Sequence, residues 1–222
     1  MLITLVIIGV VAALTIPNLM QKYTEQTTVK KVQKFYSTLS NAYSLAMKEN
    51  GPVSGWGLTS WDEVSALKIY NLLFEPYFKI AKNCGTRNNA QGKCIIHAEY
   101  KELNNNLTNN FGLQWAYYKV VLDDGAAVWF RGTPYNNLGV FYDVNGIKEP
   151  NQLGRDTFMF VIDNEKAYPE GIPGLTGGEF PRYCSLRTSG GNGCAAWVVY
   201  KGNMDYLHCD GLKWTSRSCK DK

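Results

Sequence analysis

Residues 1–16, MLITLVIIGVVAALTI, are apolar apart from Thr4 and Thr15, and Pro17 follows them directly. Both hydroxyls are able to bond back to a helix carbonyl. At about 1.5 Å per residue the run reaches roughly 24 Å, short of the roughly 30 Å hydrocarbon core of a bilayer. Behind Pro17 the pattern changes. Val29, Val32, Phe35, Tyr36, Leu39, Tyr43 and Ala46 recur at three- and four-residue steps, while Lys30, Lys31, Lys34 and Lys48 lie off that stripe. This predicts one helix of about fifty residues, apolar all round in its first third and amphipathic in the rest. Asn50-Gly51-Pro52 stops it, glycine supplying the left-handed cap and proline unable to continue.

The remaining pattern predicts a smaller helix and then strands. Ser60-Trp61-Asp62-Glu63 reads as a capping box, with Val64, Leu67, Leu72 and Phe74 as the apolar positions and Pro76 ending or kinking the helix near Glu75. Residues 83–110 are polar and Asn-rich and read as a loop. Residues 115–122 and 126–130 flank Asp123-Asp124-Gly125, a hairpin signal because the turn needs positive φ. Residues 138–142, after the 134–137 turn, and 156–162 give two more strands. Residues 168–193 lack periodicity and are rich in Gly and Pro, a surface loop. Residues 195–200 read as a last short strand. The fold class is therefore α+β: an antiparallel sheet laid on the amphipathic half of the first helix. The organisation expected is an N-terminal helix over 1–51 and a globular head over 52–222.

Six cysteines fall as Cys84/Cys94, Cys184/Cys194 and Cys209/Cys219, each pair ten residues apart. An even count behind an export-like segment reads as disulfides, and sequential pairing is the simplest of the fifteen connectivities. The competing reading is zinc on Cys84, Cys94, His97, His208 and Cys209, whose spacings match no common zinc pattern. The formal charge is +4 and no Lys/Arg block is dense enough to imply nucleic acid. Lys30, Lys31 and Lys34 read as a solvated helix face or a headgroup contact. Gly-x-Ser-x-Gly is absent, and His97 and His208 have no nucleophile signature beside them, so no catalytic constellation emerges. Asp143, Asn145 and Asp156 offer oxygens to a hard cation and are the calcium candidates. The set lacks the terminal glutamate of an EF-hand, and a tight turn between strands explains the same residues. No other cofactor is implied.

Three readings compete for the opening run: a cleaved secretory signal, a plain membrane anchor, and an anchor that doubles as an assembly helix. The first lacks a basic n-region, and Ala12-Ala13 is a poor cleavage site within further apolar residues. The segment MLITLVIIGVVAALTIPNLMQKY, with Ile8-Gly9-Val10-Val11-Ala12-Ala13, Pro17 and Asn18-Leu19, resembles the N-terminal helix of type IV pilins and type II secretion pseudopilins. The match is close over about twenty residues and holds in pattern over the next thirty. That family carries a basic leader, a Gly–Phe-type cleavage site and an early glutamate, all of which would fall before Met1. The expectation is that the sequence starts late, at an internal methionine, or is a fragment.

The resemblance implies a structural, non-enzymatic subunit. It would sit single-pass in a bacterial inner membrane with the head extracytoplasmic. It would assemble into a helical filament through Ile8, Gly9, Ala12, Ala13 and Pro17, served by pilus or secretion assembly machinery and a prepilin peptidase. The alternative is a monomeric, membrane-anchored binding module or adhesin, using loops 83–110 and 168–193.

Overall fold

The computed structural model describes residues 2–59, 62–86, 100–108, 117–133, 135, 137–146, 148–175, 177–187 and 190–221, with backbone alone for residues 2–8. Helix α1 (Leu2–Asn50) has 49 residues, about 74 Å of rod, and carries Pro17 inside it. It ends as its sequence requires: Gly51 adopts φ +75°, and its N–H donates to Met47 O. The amphipathic stripe is buried. Val32, Leu39 and Ala46 have no exposure, and Val29, Phe35 and Tyr43 have almost none. Tyr36 is half-buried on the same face.

Six antiparallel strands form a meander in chain order: β1 (Ile80–Gly85), β2 (Tyr118–Leu122), β3 (Ala127–Gly132), β4 (Leu138–Asp143), β5 (Thr157–Ile162) and β6 (Ala167–Pro169). The two-residue period puts Tyr118, Val120 and Leu122, Val128 and Phe130, Leu138, Val140 and Tyr142, and Phe158, Phe160 and Ile162 on the face that meets α1. Phe35 stacks on Tyr142 with centroids 4.1 Å apart and meets Phe160 edge-on at 5.2 Å. Polar ties register helix on head: Lys31 Nζ donates to Val144 O at 2.8 Å, and Gln33 Nε2 to Val199 O at 3.0 Å. The opposite sheet face carries a smaller core of Tyr100, Tyr117, Ala127, Trp129, Phe141 and Leu153.

Several sequence expectations are corrected. The stretch 195–200 is helix α4 (Cys194–Lys201), not a strand; Ala195, Ala196, Trp197 and Val198 are all fully buried, and Gly202 caps it with φ +70°. An apolar run this short does not choose between helix and strand by pattern. Helix α2 (Glu63–Ile69) is capped by Asp62, whose carboxylate accepts from Ser65 N at 2.8 Å, while Ser60 and Trp61 lie outside the described residues. Its buried positions are Ser65, Ala66 and Ile69, whereas Val64 and Leu67 are exposed. A π-helical turn (Tyr70–Phe74) follows, then α3 (Glu75–Tyr77), so the helical path turns irregular just before Pro76 and ends one residue after it, close to the expected position. The wider turn leaves room for a residue without an N–H. Loop 83–110 begins later than expected, because Asn83, Cys84 and Gly85 close β1. Loop 168–193 contributes edge strand β6 and the buried Tyr168, Glu170, Phe180 and Cys184. The hairpin at Asp123-Asp124-Gly125 is present, with Gly125 at φ +84°.

Candidate functional site

Two regions carry the candidate residues. The first lies where β4 ends and β5 begins. Asp143 is fully buried and Asp156 is 3% exposed. Asp143 Oδ2 accepts from the Tyr100 hydroxyl at 2.8 Å, and Oδ1 accepts from the N–H groups of Asn145 and Gly146 at 3.1 and 3.0 Å. Asp156 Oδ1 accepts from Gln152 N at 2.6 Å, and Oδ2 from Asn151 N at 2.8 Å and Asn145 Nδ2 at 3.3 Å. Asn145 therefore bridges the two carboxyls, its main chain on one and its side chain on the other. Gln152 Nε2 extends the network to the carbonyls of Glu102 and Leu103. Gly146, at φ +66°, lets this turn touch the hairpin before β3, since a Cβ there would meet Gly125 O at 2.5 Å.

Burial pushes the Asp143 carboxyl well above the usual carboxylate range. The charge of Asp156 pushes it further, against the pull of its three hydrogen bonds. Burial likewise raises Asp156, opposed chiefly by the amides of Gln152 and Asn151. The Tyr100 phenol is held well up by burial and by Asp143. The three calcium candidates are thus brought together, but all four carboxylate oxygens already accept from the protein. Among them only Asn145 Oδ1 lacks a partner, and calcium takes six to eight oxygens. Among the described residues no group of three or more His, Cys, Asp or Glu is placed to hold a metal ion. The trio has the geometry of a polar lock joining the turns around residues 100–105 and 143–157.

The second region is the free end of α1. Val10, Val11, Leu14, Ile16, Leu19, Met20 and Tyr23 are each more than half exposed. Gly9 is open, with nothing within 4 Å of an added Cβ. Ala12 is half-buried and Ala13 exposed. The side chain of Ile8 lies outside the described residues. No helix among the described residues is long and apolar enough to cross a membrane. Among the described residues, the first hydrogen bond from α1 to the head is made by Glu25, whose two carboxylate oxygens both lie 2.9 Å from His208 Nε2. Beside it run two clefts. One, of about 430 Å³, lies against Asn145, Pro150 and Asp156. The other, of about 590 Å³, lies against Asn203, Met204 and Asp205.

Two disulfides, Cys184–Cys194 and Cys209–Cys219, are formed as sequential pairing predicts. Cys84 is disulfide-bonded, and Cys94 and His97 lie outside the described residues. Bonded sulfurs at Cys84 and Cys209 are lost to the zinc set. Sequence reasoning did not find Tyr100, Gln152 or the Glu25–His208 pair. These contacts span 43, 50 and 183 residues of chain, and no local pattern announces them.

The fold and these regions define an α+β head built around the inner half of one long helix, with six antiparallel strands and disulfide-closed loops. The chain belongs to a family of unknown function, DUF6613, whose model matches residues 18–169, from just after Pro17 to the end of β6. No curated protein and no solved structure matches it.

Proposed function

We propose that this chain is a pilin-like structural subunit. It is held in a bacterial inner membrane through residues 1–16 with its head on the extracytoplasmic side. From there it is packed helix to helix into a type IV pilus or a secretion-type pseudopilus. The observation that carries this reading is the contrast along α1. Residues 29–46 are buried under the sheet, whereas Val10, Val11, Leu14, Ile16, Leu19 and Met20 stand exposed. At about 100° per residue these six side chains point all round the axis. One flat partner does not cover them; lipid or a bundle of like helices does. Gly9, Ala12 and Ala13 would let neighbouring helices approach closely, and packing would then hold subunits together. The resemblance of residues 1–23 to the pilin helix supports the same reading, and implies an assembly machinery and a prepilin peptidase as partners.

The test is Leu14→Glu, with Ile8→Glu as a second variant, assayed by electron microscopy of sheared cell-surface material and by membrane fractionation. Leu14 is 69% exposed, so the head folds either way. The expected result is filaments from wild type and none from either variant. Intact filaments from both variants sink the proposal. So does a wild type found only as monomers in the membrane fraction, which favours the anchored adhesin.

A further inference from the structure

We propose that the C-terminal loop closed by Cys209–Cys219 is a strap that holds residues 21–28 of α1 to the head, and that opening this bond releases them. Three observations meet here. Along α1, the Glu25–His208 pair is the first hydrogen bond to the head among the described residues; the next is Lys31 to Val144 O. Between these points the helix lines the two clefts, and its other hold on the head is the packing of buried Thr28 and Val29, which leaves residues 21–27 with little besides the Glu25–His208 pair. The loop itself is anchored at both ends. Leu207 and Met204 pack into the core, Asp205 Oδ2 accepts from Cys219 N at 2.8 Å, and Asn203 joins Trp197 Nε1 to Arg217 O.

Cys184–Cys194 and Cys209–Cys219 differ in access. Cys184 and Cys194 are 2% and 0% exposed, while Cys209 and Cys219 are half-buried at the surface. A dithiol therefore reaches Cys209–Cys219 before Cys184–Cys194. Two electrons and two protons pass from the dithiol to these sulfurs, and the dithiol closes to its own disulfide. His208 adjoins Cys209 in sequence, so losing the loop closure loosens the group that grips Glu25. This strap requires no filament, and it fails or stands independently of the assembly reading.

The experiment is hydrogen exchange by mass spectrometry on the full chain in detergent micelles, before and after dithiothreitol, with alkylation mapping to report which bond has opened. His208→Ala, which leaves the disulfide intact, is measured alongside. Amides 21–28 should exchange about tenfold faster once Cys209–Cys219 is open, and also in His208→Ala, with β3 and β4 unchanged. Unchanged exchange at 21–28 with that bond open overturns the strap. So does reduction of Cys184–Cys194 first, or a uniform rise across the sheet.

Discussion

The Tyr100 hydroxyl donates to Asp143 Oδ2 at 2.8 Å on the sheet face away from α1, beneath a ring packed edge-on against Trp129 at 5.2 Å. That bond pins the turn after residue 99 to the end of β4. It also encloses a carboxyl beside a second one, Asp156, and this pairing has a consequence in pH.

Both carboxyls bind protons more tightly folded than unfolded, where an aspartate titrates near about 3.9. The stability they contribute is full below that value and is lost as pH rises through their raised folded values. Asp143→Asn keeps an oxygen for the Asn145 and Gly146 amides and removes the charge. Its melting temperature should fall less than that of wild type between about pH 5 and pH 8. Parallel melting curves over that range would contradict the assignment.

The stack of Phe35 on Tyr142 joins α1 to the sheet through a side chain 4% exposed. Phe35→Ala should cost about 3–5 kcal/mol in urea unfolding. A loss below about 1 kcal/mol would mean that the helix is held elsewhere.

With every Asp143 and Asp156 oxygen accepting from the chain, added calcium or a chelator should leave the melting temperature unchanged. A calcium-dependent rise of several degrees, lost in Asp156→Asn, would restore the cation reading of Asp143, Asn145 and Asp156.

Gly146→Ala combines a left-handed φ of +66° with a collision against Gly125 O. It should destabilise by at least about 2 kcal/mol, read from the urea midpoint, because neither turn yields without disturbing a strand pair.

Much of the architecture was legible in the sequence because it is periodic. The stripe from Val29 to Ala46 named the buried face of α1, and Asp123-Asp124-Gly125 placed the central hairpin. What was missed lacks a period. Strand β1 is polar and bulged at the sheet edge, β6 has three residues, and α4 is a short apolar run whose helicity tertiary burial decides. In the polar lock, the spacing of Asp143 and Asp156 was visible. Tyr100 and Gln152 join it only through folding, so a sequence pattern had no means of nominating them.

A single unbroken rod serves both as the spine of the head and as the projecting stem. Tension on the stem therefore does not reach a hinge or a linker. It travels along α1 and arrives as shear across the plane where Phe35 and Tyr36 meet Tyr142 and Phe160, shared with the ties from Lys31 and Gln33. Load is spread over many weak contacts acting in parallel, and the head yields to a pull only when a whole helix face slides at once.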